Sequence, residues 1–136
     1  FLAGHRFPVS YVGADITPAL LAEARRRAPA RCILAADVFA APPFRPAAFD
    51  ACYCSGVFNL SLGNNDAFAL AALPRLMDLA SQVAVANFLH CRTARKYAHC
   101  HYFDPTVLTA AMARLGLQVE LIDDYLENDF TLVLKR

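Results

Sequence analysis

The feature that most constrains this chain is a pair of short apolar runs that each stop on an aspartate. Residues 10–14 lead into Asp15, and residues 31–36 lead into Asp37. The segment between them carries helix punctuation: Thr17 at the N-cap, Pro18 at the first helical position, and Pro29 just past the end. Strand, helix and strand at this spacing make a βαβ unit, whose two strands run parallel through a right-handed crossover. The alternation continues downstream. Residues 49–55 form a third strand, broken by Gly56, and residues 64–80 form a helix with Asn65 or Asp66 as its cap. Pro74 is expected to kink or divide that helix. Residues 82–89 are a fourth strand, and residues 90–103 an irregular polar and aromatic loop. Asp104-Pro105 opens a last helix that ends at Gly116. Residues 117–122 and 130–135 are two strands joined by the acidic stretch 123–129, too short for a parallel crossover, so they form a hairpin. The expected fold is α/β: a three-layer, Rossmann-like, mostly parallel sheet with a C-terminal antiparallel strand, in a single domain over residues 1–136. There is no internal repeat and no linker.

Composition then decides between two ways of accommodating so apolar a chain. Hydrophobic residues make up 57 % and charged residues 18 %, and mean hydropathy is +0.34. A membrane span needs roughly 20 consecutive apolar residues, and the longest runs, such as residues 83–89, fall far short. A parallel sheet covered on both faces explains the composition instead, and no membrane partner is expected. Net charge is +1, and the one basic cluster, Arg25-Arg26-Arg27, sits where a helix ends and cations suit the macrodipole. No nucleic-acid partner is expected from so dispersed a charge. The five cysteines are odd in number and form no CxxC, and Cys52 and Cys54 lie inside a core strand. They read as small apolar residues of a reducing, cytoplasmic compartment.

In five places the chain resembles the class I S-adenosylmethionine-dependent methyltransferases. Residues 11–18 (YVGADITP) are similar to that family's second strand with its acidic tip. Residues 35–38 (AADV) are similar to its third strand, with a second acidic tip. Residues 49–57 (FDACYCSGV) are similar to its fourth strand, Phe103-Asp104-Pro105 to its later helix start, and residues 129–134 (DFTLVL) to its last, antiparallel strand. The family's first strand and glycine-rich loop have no counterpart here. Residues 1–6 look like the end of the helix that follows that loop, so the domain is expected to be incomplete at its N-terminus.

The resemblance implies S-adenosylmethionine as cofactor and assigns roles. Asp15 would accept hydrogen bonds from both ribose hydroxyls, and Ile16 would pack on the adenine. Asp37 would accept from the adenine amino group while the Val38 N–H donates to a ring nitrogen. Ser55 and Gly56 leave the fourth strand where the methyl group would lie, the glycine permitting close backbone approach. Phe58, Asn59 and Tyr102 are expected to wall a pocket for a small-molecule acceptor. His90 or His101 is the candidate general base, since histidine as a residue type titrates near neutral pH. Histidines and cysteines cluster in residues 90–102, but their spacing matches no common zinc pattern, and no metal is expected. Two other readings compete. A nicotinamide-dependent Rossmann oxidoreductase would share Asp15, yet the chain has no Tyr-x-x-x-Lys pair. A non-catalytic cofactor-binding subunit differs only in lacking activity.

Overall fold

The computed structural model describes residues 9–136, so the N-terminal residues compared with a helix end lie outside the described part. The elements run β1 (Val12–Asp15), α1 (Pro18–Arg27), β2 (Cys32–Ala35), β3 (Phe49–Cys54), α2 (Asn65–Leu79), β4 (Ala80–Leu89), α3 (Pro105–Arg114), β5 (Gln118–Ile122) and β6 (Asp129–Lys135). The chain separates into two compact units, Phe1–Pro43 and Phe44–Arg136.

In the first unit β1 and β2 pair in parallel, from Val12 opposite Cys32 to Asp15 opposite Ala35. The register continues one bond further, with the Ala36 N–H donating to the Asp15 carbonyl at 3.1 Å. The crossover is α1, opened by Thr17 and Pro18 and finished by Arg25, Arg26 and Arg27. Glu23 holds Arg26 and Arg27 on the helix surface at 2.6 Å each.

The second unit holds a four-stranded sheet in the order β3-β4-β6-β5. β3 runs parallel to β4, and β6 runs antiparallel to both β4 and β5. The one reversed strand is thus the C-terminal one, slotted between β4 and β5, with β5 at the edge. Side chains alternate across a strand, and the alternation is visible in burial. Ala84, Ala86 and Phe88 of β4 and Phe130, Leu132 and Leu134 of β6 are all at 0 % exposure. Leu73, Leu76 and Met77 of α2 and Leu108 and Met112 of α3 complete this core. Phe88 is its centre, stacked on Phe58 at 4.8 Å and on Phe130 at 5.3 Å, with Phe103 edge-on at 5.0 Å.

Three local expectations are revised. α2 is not divided at Pro74; the neighbouring Leu73, Leu76 and Met77 are anchored in the core. Its N-cap is Asn64, without a side-chain cap bond; Asn65 is occupied elsewhere. β4 begins at Ala80, directly after the last residue of α2 and earlier than the apolar pattern suggests. Asp104 caps α3 as expected, accepting from the Thr106 N–H at 2.8 Å. No helix among the described residues is long and apolar enough to cross a membrane.

Candidate functional site

In an open α/β sheet, ligands bind beyond the carboxyl ends of the parallel strands. In the first unit those ends are occupied by Asp15 and Asp37. Asp15 is the last residue of β1, and its Oδ1 accepts the Thr17 N–H at 2.7 Å. Asp37 follows β2 by two residues, and its Oδ1 accepts the N–H groups of Phe39 and Ala40 at 2.9 Å each. Each aspartate therefore commits one oxygen to its own turn, which fixes the direction of the other. Because β1 and β2 are parallel and in register, the two carboxylates stand at the same end of the pair. Ile16 stands next to Asp15 with 68 % of its surface exposed. Val38 is half-buried.

In the second unit the carboxyl end of β3 is held by Asn87 of β4. Its Oδ1 accepts from the Ser55 hydroxyl at 3.0 Å and from the Gly56 N–H at 3.1 Å. Gly56 turns there at φ 75, a left-handed conformation that disfavours a side chain although the space for one is open. The segment beyond is shaped by Asn65, at 2 % exposure. Its Oδ1 accepts the Leu62 N–H at 2.6 Å, and its Nδ2 donates to the carbonyls of Phe58 at 3.0 Å and Leu60 at 2.6 Å. Asn59 ties the same segment to β4 by accepting the Leu89 N–H at 3.2 Å. The segment also pairs with residues 99–101: the Ser61 N–H donates to the His99 carbonyl, and the His101 N–H to the Asn59 carbonyl, both at 2.9 Å.

That pairing places His101 beside the first turn of α2. Its Nε2 lies 3.3 Å from Asp66 Oδ1, and its ring meets Phe103 edge-on at 4.5 Å. The His101 side chain is 28 % exposed and that of Asp66 65 %.

His90 has a different setting. It is 6 % exposed, its ring stands edge-on to Phe130, and its Nδ1 accepts the Arg92 N–H at 3.1 Å. Burial and then the Arg92 charge hold its pKa below the usual histidine value, opposed by Asp123 and Asp104. Arg92 itself fastens the acidic loop between β5 and β6, donating to the Asp123 carboxylate and backbone carbonyl and to the carbonyls of Leu126 and Glu127. A shallow depression lined by Arg92 and residues 123–127 lies over this staple.

Of the expected pocket walls, Phe58 is instead in the core, at 0 % exposure. Tyr102 is half-buried and accepts the Tyr97 N–H on its hydroxyl at 2.8 Å, folding its own loop. Cys54 is buried, and burial pushes its thiol up to about 12, far from thiolate reactivity. Among the described residues, no three His, Cys, Asp or Glu side chains converge as a metal-holding group. Sequence reasoning missed Asn65, Asn87 and Asp66 as partners of these sites. Asn87 carried a signal, an amide in the middle of an apolar strand. Asp66 carried none, since its partner is 35 residues away.

A family model described as a methyltransferase domain matches residues 2–85. No curated protein matches the chain. Solved structures do. Magnesium protoporphyrin IX methyltransferase from Synechocystis PCC 6803, with bound SAH, superposes with a TM-score of 0.69 at 13 % identity over 92 % of this chain and 63 % of that one. A TehB-like SAM-dependent methyltransferase from Corynebacterium glutamicum gives 0.61 at 16 % identity, over 92 % of this chain and 67 % of that one. Geranyl diphosphate C-methyltransferase from Streptomyces coelicolor A3(2), in complex with Mg2+, geranyl diphosphate and S-adenosyl-L-homocysteine, gives 0.66 at 12 % identity, over 99 % and 68 %. At such identities the likeness is one of fold. The chain spans less than two thirds of the length of the magnesium protoporphyrin IX enzyme.

Proposed function

The chain belongs to the methyltransferase-domain family, and from that membership we propose that it binds S-adenosylmethionine and directs its methyl group to a small-molecule acceptor. The observation that carries the proposal is the pair of carboxylates, Asp15 and Asp37, at the carboxyl ends of two adjacent parallel strands. An adenosine offers two vicinal hydroxyls and an exocyclic amine, all donors, and two carboxylates aimed by their own turns are matched acceptors. Asp15 takes the ribose, and exposed Ile16 covers one face of the adenine. Asp37 takes the amine, and the Val38 N–H donates to the ring. The residues present therefore fit this cofactor. When bound it supplies a methyl group already activated as an electrophile, so the protein's task is alignment.

In the second unit the Ser55–Gly56 turn, pinned by Asn87, offers backbone that a ligand can approach closely. Asn59 and Tyr102 shape the adjoining loops, and of the two histidines His101 has the more open ring. The family match runs across the boundary at Pro43, which supports treating both units as parts of one methyltransferase domain. It also favours methyl transfer over hydride transfer from a nicotinamide. A small-molecule acceptor is consistent with a net charge of +1. The geranyl diphosphate and magnesium protoporphyrin IX enzymes show that this fold serves such acceptors.

The test is calorimetric titration of the chain with S-adenosylhomocysteine. Asp15→Ala should weaken binding about ten- to a hundred-fold, the loss of charge-assisted hydrogen bonds. Equal affinity in a folded Asp15→Ala protein would remove Asp15 from the site. Transfer of a radiolabelled methyl group to small acceptors separates an enzyme from a cofactor-binding subunit.

A further inference from the structure

We propose that His90 and Arg92 form a pH-operated latch: a neutral His90 ring keeps the acidic loop between β5 and β6 closed, and a proton on its Nδ1 releases that loop. Its parts all lie in the second unit, and it stands or falls independently of the methyl-transfer reading. Residues 123–129 hold four carboxylates, Asp123, Asp124, Glu127 and Asp129, with no cation among them. A stretch of one sign repels itself, and Arg92 supplies the counter-charge. Its Nε donates to the Glu127 carbonyl at 3.1 Å and its Nη1 to the Asp123 carboxylate at 3.2 Å. Its Nη2 donates to the carbonyls of Asp123 and Leu126.

This four-way grip needs a fixed backbone behind it, and His90 fixes that backbone. Its Nδ1 accepts the Arg92 N–H at 3.1 Å. The Thr93 N–H and hydroxyl both donate to the His90 carbonyl, at 3.1 Å and 2.6 Å, closing the turn. The His90 N–H donates to the Asn128 carbonyl at 2.8 Å, joining the turn to the far end of the loop. A nitrogen that accepts is unprotonated, so the neutral ring carries its proton on Nε2, which lies 3.8 Å from Asp123 Oδ2.

In the imidazolium both nitrogens are donors. Nδ1–H then faces the Arg92 N–H, and the turn loses its acceptor. Around the ring, Arg92 opposes the second proton, while Asp123 and Asp104 favour it. The Cys91 sulfur lies 3.7 Å from Nδ1, and Phe130 of β6 meets the ring edge-on. Asp129, the neighbour of Phe130 in β6, alternates to the other face of the strand. At 6 % exposure the ring has little water to replace the lost bond, and burial outweighs the carboxylates, so the closed form resists protonation. The ring therefore takes its proton by opening. The turn unwinds, Arg92 loses its anchor, and the loop's own charges drive it outward.

The test is NMR-detected hydrogen exchange at about pH 8 and about pH 5, either side of the ordinary histidine range and corrected for the intrinsic pH dependence of exchange. The reporters are the His90 N–H, the Arg92 N–H and the Arg92 Nε–H. All three should lose protection in acid, while the amides of residues 84–88 in β4 keep theirs. Cleavage after Glu127 by a glutamate-specific protease should be faster in the unaltered chain than in His90→Gln at about pH 5, and equal at about pH 8. The glutamine oxygen can still accept the Arg92 N–H, but it takes up no proton, so this variant should stay latched at both values. If His90→Gln does not fold, the unaltered chain decides: the midpoint of reporter loss should coincide with the titration of the His90 ring. Reporters that stay protected in acid, a loss that persists in folded His90→Gln, or a midpoint apart from the ring titration overturns the latch. A loss that extends through β4 is global unfolding and overturns it as well.

Discussion

Asn65 shows how much one buried amide can organise. Its three hydrogen bonds replace backbone partners that a non-repetitive loop cannot supply for itself, and buried polar groups must be paired. Asn65→Ala should lower stability by about 1–3 kcal/mol in urea unfolding, the cost of stranding groups at a buried site. Asn65→Asp should do at least as badly despite its similar shape. It keeps the acceptor for Leu62 but points a carboxylate oxygen at the carbonyls of Phe58 and Leu60. His90 gives a second prediction. Its folded pKa is depressed from 6.5, by burial first and then by Arg92, so the unfolded chain takes up the proton before the folded chain does. The stability this group contributes is full above the unfolded value and is lost progressively as pH falls from there through the folded value. Urea midpoints should therefore drop from about pH 8 to about pH 5, and His90→Gln should flatten part of that slope. Both residues mark the limit of sequence reading. Asn65 read as a cap and His90 as a candidate general base in a substrate-pocket loop, because residue type reports what a side chain can bond but not which backbone passes within reach. Asp15 and Asp37 were legible because a strand's end is visible in the sequence itself.

At the scale of elements, helix and strand bounds followed the punctuation closely. Pro18 opened α1, Asp104-Pro105 opened α3, and the left-handed Gly116, at φ 81, follows Leu115 as the chain leaves α3. Where no punctuation stood, tertiary packing decided. The α2–β4 junction has no turn residue, so the point where period 3.6 gives way to period 2 was set by which alanines enter the core: Ala72 and Ala80 are at 1 % and 0 % exposure. Pro74 is the clearest conflict between local preference and packing. A proline inside a helix loses the bond to the carbonyl four residues back and costs about 3 kcal/mol relative to alanine. α2 absorbs this because Leu73, Leu76 and Met77 around it are buried to 5 % exposure or less. Pro74→Ala should raise stability by about 1–2 kcal/mol, the restored bond offset by the freer unfolded chain. A lower melting temperature would show that the proline ring is itself a packing element.

For the whole molecule, the two units differ in how much core they contain, and that difference predicts where the chain opens first. Among the described residues Leu21 is the one buried hydrophobic side chain of the first unit, whereas β4, β6, α2 and α3 of the second share a core that includes four fully buried phenylalanines. Local opening free energy tracks buried apolar contact. In hydrogen exchange, amides of β4 and β6 should therefore be the slowest, and those of β1 and β2 should exchange through cheaper local openings. The carboxylates proposed to hold the adenosine lie on the less protected unit, so ligand binding should act there selectively. A ligand at about a hundred times its dissociation constant adds about 2.7 kcal/mol to any opening that releases it. Saturation with S-adenosylhomocysteine should thus slow exchange in residues 12–37 by about a hundredfold, while the core amides of β4 and β6 change far less. Protection that is even across both units before ligand is added would contradict the division of the core. Protection by ligand confined to the second unit would move the binding site away from Asp15 and Asp37.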